Sequence, residues 1–373
     1  MWTLNRPLLS DILVDVGRVI FKLPEVSAGV SILAVAKQVT VFGILAVTLS
    51  FAVPARAERL RFVAFNTECL QAADTNATRI PKFRWNDARQ RHLERVANVI
   101  ETLEPDVICL VEVTSREAVD AVVAILHEKG LREYRGYHVE SADKFTGFDV
   151  AFISLHKPDE IKGETIRFIF SSSGDETWRE DFSYVDDDGE KKARSTGLVR
   201  HSLFCVTIAG EKFGFLGLHL KSNPSDDYSN ARRTAEAAIV QRIVGKEIVP
   251  RGYEPIVLGD LNDYDPDVPD RDDFRKTSTN VMRMLKNYDS KQPGPELVNA
   301  AQKIERIADR YTSHWDRNEN GAADVDDVFT MIDHVLLPKG LMPRVRRTFV
   351  SRLTGLDTSD HWPVVVDLDL PAK

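Results

Sequence analysis

Along this 373-residue chain, carboxylates, carboxamides and imidazoles recur where apolar runs of strand length stop. Asn66 and Glu68 close LRFVAFNTE, Glu112 closes DVICLVEV and His219 closes KFGFLGLHL. Asp260 and Asn262 follow PIVLG, Asp333 and His334 sit in MIDHVLLP, and Asp360-His361 opens DHWPVVVDLDL. A branched-aliphatic strand is ordered by burial, whereas a carboxylate or amide at its end needs water, a cation or a hydrogen-bond partner. Taken singly, each position has a bland reading: Glu112 as a solvated strand end, His219 or His361 as a satisfied histidine, Asp260 after Gly259 as a turn residue. Asp333 resists it, because an unpaired carboxylate inside an apolar strand costs on the order of several kcal/mol. One shared site accounts for the repetition better than a series of coincidences.

The residue types suggest a chemistry. Asp and Glu oxygens suit hard divalent cations, Mg²⁺ or Mn²⁺, which combine a few carboxylates with waters and phosphate oxygens. Such a cation offsets the charge of a phosphodiester and of a developing oxyanion, while a histidine beside an aspartate activates water or donates to the phosphate. No cysteine–histidine cluster suggests zinc, and no serine nucleophile elbow, phosphate-binding P-loop or dinucleotide fingerprint occurs. Metal-assisted phosphoester hydrolysis is the chemistry this set implies.

Elements must bring these residues together. Apolar strand patterns and helical patterns alternate from residue 59: LRFVAFN, a helix over about 86–103, DVICLVEV, a helix near 116–129, then FDVAFISL, TIRFIF, GLVRHSLFCVTI and KFGFLGLHL without intervening helices. A helix over about 228–248, the strand PIVLGDLN and the closing strands TMIDHVLLP, RRTFVSRL and DHWPVVVDLDL follow. The pattern predicts an α/β fold, a four-layered α/β/β/α sandwich of two mixed sheets flanked by helices, formed by one domain over 58–373. Two polar segments read as insertions: 171–196, with the hairpin-turn signature Asp187-Asp188-Gly189, and 264–328, rich in Asp, Pro and Asn and expected as surface loop with one or two short helices.

The ordered set FNTE, LVEV, HLKS, GDLND, IDHVLL and SDHWPV resembles the endonuclease/exonuclease/phosphatase superfamily, the deoxyribonuclease I-like group, over about residues 59–370. The resemblance implies roles one position at a time. Asn66 would hydrogen-bond the phosphate or the catalytic network, and Glu68, Glu112 and Asp360 would hold the divalent cation. The family often has Gln before that glutamate, where this chain has Val111. His219 would contact the scissile phosphate or the leaving oxygen, Asp260 and Asn262 would orient the attacking water and the phosphate, and Asp333 would orient His361. Whether Asp260 or His361 takes the proton from water stays open. Arg200 would contact phosphate or serve as a structural arginine, and Lys221, Arg232 and Arg233 could add local positive charge.

Residues 316–327, DRNENGAADVDD, place Asp316, Asn318, Asn320, Asp324 and Asp327 at the oxygen positions of a calcium-binding loop, with Gly321 at the sharp turn. Ala323 and the short Asp327 depart from that pattern; structural Ca²⁺ and a plain polar turn loop are both open readings.

Composition sets outer limits. Forty-three per cent hydrophobic and 28% charged residues exclude a disordered chain. The apolar run 39–53 followed by Pro54-Ala-Arg-Ala57 reads as a signal peptide behind a long leader, residues 1–57, which predicts a periplasmic or secreted protein. The run is short for a membrane span of about 20 apolar residues. Cleavage after Ala57 leaves 44 Lys and Arg against 54 Asp and Glu, a net charge of −10. That balance disfavours avid sequence-independent binding to nucleic acid unless cations or a basic patch reverse the local sign. Cys69, Cys109 and Cys205 read as free thiols, two of them in buried strands. The expected enzyme is a monomeric, exported metal-dependent phosphodiesterase without a stable protein partner, acting on DNA or RNA. A sphingomyelinase-like phospholipid phosphodiesterase, another phosphoester phosphatase and a secreted binding protein that keeps the fold are the alternatives.

Overall fold

The computed structural model describes residues 59–371 apart from 173–174, 224–225, 273–278, 290 and 293. The expected leader, 1–57, lies outside them. Among the described residues no helix is long and apolar enough to cross a membrane.

The first sheet contains β1 (Arg59–Leu70), β2 (Val107–Val113), β3 (Arg135–His138), β4 (Asp149–Ser154), β14 (Val345–Val350) and β15 (Val364–Asp369), in the order β14-β15-β1-β2-β4-β3. The second contains β7 (His201–Ile208), β8 (Glu211–His219), β9 (Glu254–Asp260), β10 (Leu297–Asn299) and β13 (Asp333–Pro338), in the order β10-β13-β9-β8-β7. Each sheet is mixed: β1 with β2 and β8 with β9 run parallel, the other pairs antiparallel. Two-residue periodicity builds the layers. In β1, Phe62 and Ala64 face the opposite sheet, whereas Val63 and Phe65 face helices α1 (Asn86–Leu103) and α2 (Arg116–Glu128). The outer face of the second sheet packs Leu216, Val257 and Leu336 on α3 (Asp227–Ile243) and α4 (Val281–Lys286). Three apolar layers therefore separate four layers of structure, the predicted α/β/β/α sandwich.

Helix ends follow local chemistry. Ser115 caps α2 by accepting from Ala118 N, and Asp226 caps α3 by accepting from Ser229 N at 2.7 Å. The expected helix to residue 248 ends as α-helix at Ile243 and continues through a π turn, Val244–Ile248, that contains Gly245.

Other boundaries differ from expectation. TIRFIF makes one antiparallel β-bridge, Arg167 to Leu203 on the edge strand β7, and its Arg167 side chain turns to Glu247 at 2.7 Å. TMIDHVLLP divides into β12 (Val328–Thr330) and β13, since the amides of Met331 and Ile332 bond to Asp270 and Thr312 side chains. The half-exposed edge strand β3 had no strong apolar alternation to reveal it. Segment 171–196 does contain a hairpin, β5 (Arg179–Val185) with β6 (Lys191–Gly197), turning at Asp187-Asp188-Gly189. Segment 264–328 is more than surface loop: besides α4 it adds β10 to the sheet, and Val268, Ala300 and Ala301 join the core between sheets. All three cysteines are free and buried.

One core histidine makes stability sensitive to acid. His201 is buried against Phe168, its Nε2 accepts from Ile169 N at 3.0 Å, and burial pushes its pKa down to about 3. The folded state thus holds the neutral ring, so this contribution is complete above the ordinary value near 6.5 and is lost as pH falls toward 3. Urea midpoints measured from pH 7 to 4 should fall less steeply for His201→Gln than for the parent; equal slopes would refute this.

Candidate active site

The apolar stripes that lock the sheets together continue into the polar site. On the inter-sheet face Phe62 and Ala64 lead to Asn66, Phe213 and Phe215 to His219, Ile256 and Leu258 to Asp260, and Leu337 and Val335 to Asp333. Strand pairing sets Asp333 opposite Asp260 and Asp260 beside His219, a row across three adjacent strands. Gly259 permits that row: at φ +125° an added Cβ would stand 2.2 Å from the Leu218 carbonyl oxygen, so only glycine lets β9 approach β8.

Glu112 reaches the site by a different device. Strict alternation after Ile108 and Leu110 would send it toward the helices. A register shift in both β1–β2 and β2–β4, with Glu112 at φ 61°, turns its side chain into the cleft instead and leaves Val113 in the helix-facing core. Glu68, Cys69 and Asn262 also occupy the left-handed region, at φ 51°, 62° and 50°. Such backbone is costly for non-glycine residues and here is fixed by surrounding hydrogen bonds.

Those bonds join the strand ends into one network. Asn66 Nδ2 donates to Glu112 Oε1 and Asp260 Oδ2, each at 3.1 Å, and Asn66 Oδ1 accepts from Glu68 N. Glu112 Oε2 accepts from Cys69 N at 3.1 Å, and Asp260 Oδ1 accepts from Asn262 N at 2.9 Å. The side-chain amide of Asn262 is directed to the Leu220 carbonyl, a positioning contact. Asp333 Oδ2 lies 2.6 Å from His361 Nδ1. Ser359 Oγ accepts from His361 N and donates to the Asn66 carbonyl, tying the segment before β15 to the end of β1. His219 Nε2 is 3.7 Å from Glu112 and 3.8 Å from Asp260, and Arg200 reaches it at 3.4 Å.

Burial and mutual repulsion set the protonation states. Burial, with Asp333 close by, pushes Asp260 up to about 7, and burial raises Glu112. Burial, then Asp360, pushes Glu68 up to about 7 against the pull of Lys82. Burial opposes a charge on both histidines, with different outcomes: the carboxylates of Asp333 and Asp360 overcome it and raise His361 well above 6.5, whereas Arg200 adds to it and holds His219 well below. Arg200 Nε, His219 Nδ1 and Asp333 Oδ1 are buried without hydrogen-bond partners among the described residues. Polar atoms left in that state are points where substrate, water or an ion can bind.

The structure brings together Asn66, Glu112, Arg200, His219, Asp260, Asn262, Asp333 and His361. Glu112, His219 and Asp260 offer ligand atoms within 4.8 Å of one another, as do Asp260, Asp333 and His361. The expected trio Glu68, Glu112 and Asp360 does not form such a group among the described residues. Glu68 is instead ion-paired with Lys82, and Asp360 meets Glu68 through its backbone N–H while its half-exposed carboxylate lies 3.9 Å from His361 Nε2. Lys82 is a site residue that the sequence concealed, since it lies in a loop without periodicity between β1 and α1. Arg232 and Arg233 are held by Glu236 and Asp263, so neither is a free charge for substrate. His334 is buried on the other face of β13, held by Asn299 and the Asp263 carbonyl.

The 316–327 loop joins β11 (Ser313–Trp315) to β12. Its root abuts the site: Ser313 bridges His361, and His314 N donates to the Asp360 carbonyl at 2.9 Å. Within it Asp324 Oδ2 accepts from Asn318 and Asn320, Asp316 from Gly321 N, and Asp327 from His314 and Asp324 N. Donors of the loop and of His314 thus occupy the Asp316, Asp324 and Asp327 carboxylates.

Two sheets closing over a polar network of this kind define a class of phosphoester hydrolases. The sequence pattern of the Endonuclease/Exonuclease/phosphatase family matches residues 63–361, and the chain belongs to that family. The search of curated proteins gives no match. Among solved structures, an AP endonuclease from Archaeoglobus fulgidus is similar at 19% identity and TM-score 0.54, over 83% of this chain and 100% of that one. An endonuclease/exonuclease/phosphatase family protein from Leptotrichia buccalis is similar at 13% identity and TM-score 0.51, over 83% and 100%. The 3′ phosphatase NExo from Neisseria, bound to product DNA hairpin, gives 14% identity and TM-score 0.51, over 83% and 99%.

Proposed function

We propose that this chain is an exported, divalent-metal-dependent phosphodiesterase that hydrolyses DNA or RNA. The observation that carries the reading is the convergence of Asn66, Glu112, His219, Asp260 and the His361–Asp333 pair at one end of the inter-sheet core. A divalent ion fits the donor set: hard oxygens predominate, and several carboxyls are driven upward by burial and each other. Glu112 would hold Mg²⁺ or Mn²⁺, which when bound supplies charge neutralisation at the phosphate. Export rests on the apolar run 39–53 and Pro54-Ala-Arg-Ala57. Nucleic acid is favoured over lipid because the similar AP endonuclease and DNA-bound phosphatase share the fold.

The chain's own groups divide the work. Asp260, pushed up to about 7 and held by Asn66 Nδ2 and Asn262 N, is the base that accepts a proton from water near neutral pH. His361, kept as imidazolium by Asp333, donates to a phosphate oxygen from Nε2. Neutral His219, with cationic Arg200 3.4 Å from it, binds the developing negative charge. We read Asp260 as the base that the sequence left open, since the Asp333 and Asp360 carboxylates favour the protonated form of His361.

The test is incubation of the purified protein with plasmid, single-stranded DNA, RNA, sphingomyelin vesicles and a generic aryl phosphodiester, with Mg²⁺ or EDTA. Nucleic-acid cleavage that EDTA lowers by roughly a hundredfold or more is expected. Cleavage of sphingomyelin alone, or equal rates in EDTA, would overturn the proposal.

A further inference from the structure

Lys82 is a largely buried cation beside the site that neither the motif pattern nor the reaction above employs. Its side chain is 9% exposed, and its ammonium pairs with Glu68 Oε2, donates to the Leu356 carbonyl at 3.1 Å and lies 5.6 Å from the Phe83 ring. Glu68 Oε2 also accepts from Asp360 N at 2.9 Å. That oxygen therefore has two donors already, one of them charged. We propose that Lys82 is a built-in counter-ion for Glu68 and Asp360, so that the site takes a single divalent cation, on the Glu112 side, and Glu68 positions Lys82 rather than the metal.

Charge balance supports this, given the reading of the site as metal-dependent. Glu68, Glu112, Asp260, Asp333 and Asp360 face Arg200, Lys82 and the imidazolium of His361. Arg200 is shared with the Asp143 carboxylate at 3.9 Å, so Lys82 offsets the charge on the Glu68 and Asp360 side. Removing the ammonium uncovers one negative charge and frees Glu68 Oε2 beside the half-exposed Asp360 carboxylate for a second hard cation. A fixed ammonium requires no metal from solution and cannot dissociate, so it also holds the β1–α1 loop against the segment that carries Asp360 and His361.

Calorimetric titration of the full-length chain with Mn²⁺ tests the inference without reference to activity. The parent should bind one ion, Lys82→Met two, and Lys82→Arg one again. Glu68→Gln should leave the parent's Mn²⁺ affinity within about threefold, whereas Glu112→Gln should lower it by roughly tenfold or more. A single ion in both the parent and Lys82→Met overturns the inference, as do two ions in the parent or an equal loss for Glu68→Gln and Glu112→Gln. A parent that binds none removes the metal-dependent reading itself and this inference with it. The Glu68→Gln comparison decides the matter even if Lys82→Met fails to fold.

Discussion

Glu112→Gln should lower kcat/KM for a phosphodiester by roughly a thousandfold, equivalent to about 4 kcal/mol of transition-state stabilisation. The amide keeps the size of the side chain but removes the negative charge that would face the divalent ion. It also disturbs a doubly held carboxylate, since one oxygen accepts from Asn66 Nδ2 and the other from Cys69 N. Because the left-handed backbone at 112 belongs to the bulge and not to the charge, the fold should persist, with a thermal midpoint close to that of the parent. Steady-state kinetics and circular dichroism on one preparation would check both parts. A folded variant that cleaves as fast as the parent would remove Glu112 from the mechanism.

Asp260→Asn should separate activity from stability in opposite directions. Loss of the proposed base should cost about two to four orders of magnitude in kcat. Stability should rise, because the folded protein disfavours the ionised form: the carboxyl is pushed from 3.8 to about 7, chiefly by burial and by Asp333. A raised acid stabilises the fold fully only below its unfolded value, and the penalty grows through the interval from pH 3.8 to about 7 and stays constant above it. The asparagine variant should therefore match the parent near pH 4 and exceed it at pH 8 by roughly 2 kcal/mol, or about 5 °C. Melting curves in EDTA at the two pH values decide the point. A variant less stable than the parent at pH 8 would contradict it.

What the sequence disclosed, and what it withheld, follows from how each residue is placed. Asn66, His219, Asp260 and Asp333 were legible because each ends a stripe of alternating apolar residues on the face between the sheets, where a polar side chain has no packing reason to be. Helices α1 and α2 were legible from their apolar faces, and the four-layered sandwich from the order of strands and helices. Glu112 was identified by its residue type and motif, but its direction was not readable: simple alternation points it at the helices, and only the paired register shifts reverse it. Lys82 left no trace, since a loop contact depends on where distant strands end, here Glu68 and the chain near Leu356. TIRFIF misled because strand propensity does not distinguish a paired strand from an apolar segment joined to a sheet edge by one bridge.

The row Asp333, Asp260 and His219 lies on the same three strands whose inward faces knit the two sheets. A slip of one residue in any of them would turn its apolar face outward and withdraw its reactive group in the same movement. Hydrolytic competence is therefore an all-or-none report on correct assembly. Chains that mispair during maturation are silent rather than sluggish, and turnover per molecule in a refolded sample counts the fraction that found its native alignment.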